Sequence, residues 1–330
     1  MDDAKGLSGL YNMGNTCYLN AALQCLSNTQ SLTEFFLKEE YRANRNKKEY
    51  KICDEYCRVL NGLWEDNCVV KPVSFKKVLE SLDNKFANRD QHDSQEVLFT
   101  LIDLFHTALS YEVNITYEGV IKNELDKKMV ESINVWGKYF KKEYSKILDI
   151  FFGQFYSRVI CKKCNYSSNN FDPFSMITLQ VLQKNSTIYN CFDDFVKYET
   201  LDCDDGWKCE HCGKNSNPVK NIQIWRAPDT LIIVLKRFDY NNFSSKNNNI
   251  VDFPLSNLNL EKYVSGYDKY EAVYDLYGII YHHGDMNIGH YVSACKNINN
   301  KWYLYDDDTV STYNKVEKSN AYVLFYKKKD

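Results

Sequence analysis

The hydrophobic period of this chain changes once, near residue 150, and that change restricts its architecture more than any other feature. From Asn15 to about Ile150 apolar residues recur at helical spacing: Leu19, Ala22, Leu23 and Leu26 form one stripe, and Val97, Leu101, Leu104 and Phe105 another. From about Phe155 onward the runs shorten and alternate, as in Ile177, Leu179 and Val181, then LIIVLKRF from Leu231, YDLYGIIY from Tyr274, HYVSAC from His290 and AYVLFYK from Ala321. Helices first and antiparallel strands afterwards predict an α+β fold. No internal repeat divides the chain and it holds only five prolines, so one domain with subdomains is expected. The stretch YNNFSSKNNNIVDF from Tyr240 reads as a mobile surface loop.

Composition removes several classes of function. With 44% hydrophobic and 26% charged residues the chain has the balance of a folded globular protein. A net charge of −3 offers no field for phosphate backbones or acidic membranes, so neither nucleic acid nor membrane is expected as a partner. No apolar run is long enough to span a bilayer. The start, MDDAKGLSGLYNMGN, carries acids where a secretory signal carries bases. The twelve cysteines are therefore read as thiols, metal ligands or a nucleophile in a reducing compartment, cytoplasmic or nuclear.

One cysteine stands apart. GLYNMGNTCYLNAALQCL places Cys17 in the first turn of the first amphipathic helix, behind Gly14 and a capping residue, Asn15 or Thr16. The positive end of the helix dipole favours thiolate over thiol there. Asn12, five residues upstream, is placed to fold back and aim its amide N–H at an oxyanion beside the sulfur.

Such a nucleophile needs a base, and the chain has six histidines: His92, His106, His211, His282, His283 and His290. His290 opens a strand that is followed by a short Asn-rich turn and a second strand ending in Asp306, Asp307 and Asp308. Pairing Val292 with Leu304 and Ala294 with Trp302 sets His290 opposite Asp306, whereas a slip of one residue brings Asp307 instead. The apolar partners favour Asp306 as the carboxylate that orients the imidazole.

A second constellation is CKKC from Cys161 and CEHC from Cys209. Each is followed by a residue tolerant of positive φ, Asn165 and Gly213, which is the pattern of two knuckles around a tetrahedral Cys₄ zinc site. Cys161, Cys164, Cys209 and Cys212 would fill the coordination sphere of one zinc ion, leaving it structural and His211 surplus. No catalytic cofactor is implied.

Taken in order, the cysteine box GLYNMGNTCYLNAALQCL, QHDSQEV from Gln91, FFGQFYSRVICKKC from Phe151, LIIVLKRF, VDFPL, GHYVSACKN, WYLYDDDTV and AYVLFYK resemble the catalytic domain of a ubiquitin-specific protease over nearly the whole chain. The resemblance implies a papain-like fold with a mostly helical thumb (about 6–150), zinc-ribbon fingers (about 154–230) and an antiparallel palm (about 231–330, with strands from about 151–160). It implies a thiol-dependent deubiquitinase, expected as a monomer, that cuts after the carboxyl-terminal glycine of ubiquitin. Cys17 would be the nucleophile, His290 the base, Asp306 the orienting acid and Asn12 the oxyanion donor, with zinc pinning the fingertips. Where the family often has a second glutamine this chain has His92.

Asp93 and Glu96 support two readings. Their D-x-x-E spacing at a helix start is that of a capping box, and the resemblance suggests that they meet the basic tail of ubiquitin. Cys25, Cys53, Cys57, Cys68, Cys191, Cys203 and Cys295 are read as buried or partly buried thiols. A silent ubiquitin-binding scaffold, a protease for another ubiquitin-like modifier and a zinc-ribbon nucleic-acid module remain the alternatives.

Overall fold

The structure is a computed structural model, and it describes residues 5–43, 47–65, 67–201, 207–239, 245–285 and 288–329. Among the described residues seven α-helices lead: α1 Cys17–Ser27, α2 Gln30–Leu37, α3 Tyr50–Glu65, α4 Val73–Leu82, α5 Ser94–Leu109, α6 Glu124–Phe140 and α7 Lys146–Phe151. An eighth, α8 Ile188–Phe195, interrupts the strand-rich remainder. The sequence reading made α1 amphipathic, yet every residue from Cys17 to Ser27 is buried. This helix runs between the other helices and the sheet, where a one-sided apolar stripe is not enough.

The strands form two main sheets. In the first, β1 Gly153–Ile160 pairs with β2 Ser167–Phe174 and with β4 Val219–Arg226, and the short strand Glu199–Thr200 adds an edge. In the second, β9 Thr309–Thr312, β8 Trp302–Asp306, β7 Gly289–Lys296, β6 Val273–Gly284, β10 Ala321–Lys328, β5 Thr230–Lys236 and β3 Ile177–Gln180 lie side by side in that order. The large sheet is antiparallel except at β3, which runs parallel to β5. β3 and α8 therefore belong to the core of the large sheet, although both lie within the stretch 154–230 that the resemblance reserves for the fingers.

The sheet separates two cores. One face, with Ile232, Val234, Phe325 and Cys295, packs on α1, α3 and α5, while the other, with Ile233, Leu235, Leu324 and Ala294, packs on α8 and the loops around Phe253. Helix α6 covers the smaller sheet through Tyr156, Phe171 and Trp225, which is why its outer residues stay polar while Trp136 is buried.

The expected pairing of β7 with β8 is corrected by two residues: Ala294 faces Leu304 and Lys296 faces Trp302. The turn between the strands decides this. Asn297 N–H donates to the Lys301 carbonyl at 2.9 Å and Asn300 takes φ 62°, so the loop closes on five residues and sets the register. A slip of two keeps the alternation, so Val292, Ala294, Trp302 and Leu304 still join one core.

Of the segment from Tyr240 expected to be a mobile loop, 240–244 lie outside the described residues, and Ser245–Lys246 pair as a short strand with Phe238–Asp239. Cys203 also lies outside the described residues. Cys25, Cys53, Cys57, Cys191 and Cys295 are buried, but Cys68 is exposed, because it sits in the loop after α3 and not on its inner face.

Candidate active site

Helix α1 begins at Cys17, and no side chain caps it. Thr16 is the N-cap residue, but its hydroxyl accepts from Met13 N–H at 2.9 Å instead of from the helix, and the first turn holds no acid. Leu19 N–H turns back to the Thr16 carbonyl at 3.1 Å, so the N–H groups of Cys17 and Tyr18 are the ones placed to face an anion at the thiol. The loop before the helix is wound around Asn12, whose Oδ1 accepts from Gly14 N–H at 2.9 Å and Thr16 N–H at 3.1 Å, with Asn15 at φ 55° completing the turn.

Asp307 holds this loop from the opposite side. It occupies the turn between β8 and β9 at φ 49°, and its carboxylate accepts from Asn12 Nδ2 at 2.8 Å and from Asn20 Nδ2 at 2.8 Å. Its carbonyl accepts from Leu10 N–H at 2.7 Å. Gly9 makes the close approach possible, since a Cβ there would lie 2.3 Å from the Asp308 carbonyl oxygen. Asn20 was not singled out in the sequence, although a polar residue amid the buried run of α1 was a visible signal.

Across the cleft, strand β7 presents His290. Its Nε2 lies 2.7 Å from Asp306 Oδ1, both side chains being about half exposed, while Cys17 is only 4% exposed. The hydrogen bond with the Cys17 thiol, and then the Asp306 carboxylate, raise the imidazole to about 9 against the opposing effect of partial burial. With Nε2 committed to Asp306, Nδ1 is the nitrogen left to exchange a proton with the thiol. The structure thus brings Cys17, His290, Asp306 and Asn12 into one site, with Asp307 on Asn12 and not on the imidazole.

Residues of the glutamine box line the approach. Gln91 Oε1 accepts from Gly289 N–H at 3.2 Å, tying the thumb to the residue before His290. His92 packs edge-on against Tyr18 and Phe86, with ring centroids 5.2 Å apart in each case. Asp93 caps α5 by accepting from Gln95 N–H at 2.8 Å, and Tyr322 OH lies 2.8 and 2.7 Å from its two oxygens. Glu96 takes no part in the cap. It pairs instead with Lys85 at 2.7 Å, so the reciprocal capping box expected from the spacing is absent.

At the far end of the smaller sheet Cys161, Cys164, Cys209 and Cys212 converge, with all four sulfurs within 4.8 Å of one another. Cys161–Cys212 and Cys164–Cys209 sulfurs are 3.9 and 3.7 Å apart, the edge lengths of a tetrahedron with metal–sulfur bonds of about 2.3 Å. Both knuckles have the expected form: Asn165 N–H donates to Cys161 and Gly213 N–H to Cys209, with φ 58° and 67°. The four thiols fit a metal ion. His211 stacks on Tyr166 instead of joining them.

A family model described as ubiquitin carboxyl-terminal hydrolase matches residues 8–326. The ubiquitin carboxyl-terminal hydrolase 2 of Bos taurus is 32% identical over 335 residues, which cover 98% of this chain and 55% of that protein. The Usp2 hydrolase of Drosophila melanogaster is 33% identical over 334 residues, covering 99% of this chain and 35% of its own. The chain thus spans about half, or less, of the length of these curated relatives. Among solved structures, the SAGA Ubp8/Sgf11/Sus1/Sgf73 DUB module bound to ubiquitin aldehyde superposes with a TM-score of 0.78 at 24% identity, over 100% of this chain and 71% of that one. That likeness concerns the fold alone. By sequence and by site, this chain belongs to the ubiquitin carboxyl-terminal hydrolase family.

Proposed function

We propose that the chain is a thiol-dependent deubiquitinase that hydrolyses the isopeptide or peptide bond after the carboxyl-terminal glycine of ubiquitin. The observation that carries this reading is the meeting of Cys17 at an uncapped helix start with the His290–Asp306 pair. Cys17 thiolate attacks the glycine carbonyl, the free N–H groups of α1 and the Asn12 amide stabilise the oxyanion, and His290 protonates the departing lysine amine. Water, deprotonated by His290, then cleaves the thioester and restores the thiol. Asp306 orients the imidazole throughout.

The basic tail of ubiquitin would meet Glu96, half exposed and able to exchange Lys85 for an arginine. Asp93 would contribute through the cap of α5 and its bond to Tyr322. The Cys₄ cluster would hold one structural zinc ion, with Cys161, Cys164, Cys209 and Cys212 as ligands and no step of the reaction passing through it. The described cysteines, all free thiols, support a reducing setting, cytoplasmic or nuclear.

The test is covalent labelling with propargyl-terminated ubiquitin and with its relatives. Labelling by ubiquitin at Cys17 is expected; labelling only by another ubiquitin-like modifier, or by none, overturns the proposal.

A further inference from the structure

Arg237, directly after β5, is 1% exposed, yet among the described residues no carboxylate pairs with it. A buried cation without an anion is costly, and here backbone carbonyls stand in for one. Nε donates to Ala321 at 2.6 Å, and Nη1 to Asn247 at 2.8 Å and Asn249 at 2.9 Å. The third nitrogen, Nη2, is buried without a partner among the described residues. The guanidinium therefore ties the end of β5 to the segment Lys246–Asn249 and to the start of β10.

Both tied segments connect to elements of the candidate site. Lys246, next to Asn247, donates from Nζ to the His282 carbonyl at 2.6 Å and the Gly284 carbonyl at 2.9 Å. These carbonyls flank the end of β6, whose His283 and Gly284 pair with His290 and Gly289. On the other side, Ala321 precedes Tyr322, the residue that reaches Asp93 on the thumb. Phe238, beside Arg237, packs edge-on against both His282 and Tyr322, at 5.1 and 5.3 Å. One side chain thus sets two connections, one toward His290 and one toward the thumb.

We propose that Arg237 is a positioning residue, which fixes the segment Lys246–Asn249 and the Tyr322–Asp93 bridge as the wall along which the tail of ubiquitin is seated. The inference rests on the deubiquitinase reading above. Arg237 acts through backbone carbonyls and not on reacting atoms, so its loss should weaken substrate seating and spare the chemistry of the thiol.

The experiment follows hydrolysis of a ubiquitin–fluorophore conjugate by Arg237→Met, Arg237→Lys and Lys246→Met, beside the rate at which iodoacetamide alkylates the Cys17 peptide. In Arg237→Met, KM should rise about tenfold while kcat and the alkylation rate stay within about twofold. Arg237→Lys should fall between, since an ammonium cannot span the three carbonyls on two segments that the planar fork reaches. Lys246→Met, a change at a half-buried side chain, should raise KM in the same direction and decides the matter if Arg237→Met does not fold. Unchanged KM in folded variants, or a joint fall of kcat and alkylation, overturns the role of Arg237. Wild-type protein that is alkylated at Cys17 but neither labelled by nor active on ubiquitin refutes the deubiquitinase reading itself.

Discussion

Asp306 reaches His290 on a diagonal: continued from the pair Ser293–Tyr305, the register sets Asp306 opposite Val292, yet its Oδ1 lies 2.7 Å from the imidazole. Both residues project from the same face of the sheet, and at the end of β8 the carboxylate can lean along the strand direction. Its neighbour Asp307 has left the strand at φ 49° and points at Asn12 and Asn20 instead. Two consecutive acids therefore hold separate partners.

Asp306→Ala should lower kcat by about 10²–10⁴, by releasing the tautomer and orientation of His290, with ubiquitin affinity nearly unchanged. Asp307→Ala should act on the other partner: Asn12 and Asn20 lose their acceptor and kcat falls by about 10² through the oxyanion loop. Steady-state kinetics with binding to a Cys17→Ala background separates them. Near-normal turnover in Asp306→Ala beside an inactive Asp307→Ala would reverse the assignment.

Cys17→Ala should abolish probe labelling and hydrolysis while leaving the melting temperature close to that of the parent, since the side chain removed is small. Mass spectrometry after incubation with propargyl-terminated ubiquitin checks the first, and calorimetry the second. Retained turnover would sink the nucleophile assignment.

The raised imidazole gives a pH signature. A group whose folded pKa lies above its unfolded value, near 6.5 for histidine, stabilises fully below that value and loses the contribution as pH rises through about 9. Because the thiol is the larger cause, Cys17→Ala should bring the His290 titration, followed by NMR of the ring, down further than Asp306→Ala does. The reverse order would contradict the geometry.

Purified protein should carry about one zinc ion per chain, and Cys209→Ser should lose it. Chelation should loosen the smaller sheet, seen as faster amide exchange in β1, β2 and β4, while alkylation of Cys17 continues. Metal-free protein with protected amides in those strands would refute the site.

Gly9→Ala tests the approach of the backbone at Gly9 to the β8–β9 turn. A Cβ placed 2.3 Å from the Asp308 carbonyl forces the two apart, and destabilisation of about 1–3 kcal/mol with reduced turnover is expected in denaturant titration and kinetics. Full activity would mean that Asp307 does not need this support.

The α+β order, the cysteine at a helix start, the histidine at a strand start and the four metal-type cysteines were legible in the residues, because each depends on local periodicity or on short spacings. That Asp306 and not Asp307 reaches His290 was legible too, although the register behind it was off by two, since alternation survives an even slip and the turn Asn297–Lys301 decides the rest. Tertiary structure alone decided what is non-local. Helix α1 is buried on all sides because it runs between sheet and thumb, Asp93 is engaged by a tyrosine 229 positions away, and Arg237 is held by three carbonyls from two segments. No local pattern encodes such pairings; they arise when the chain closes on itself and buried polar groups are brought to partners far away in sequence.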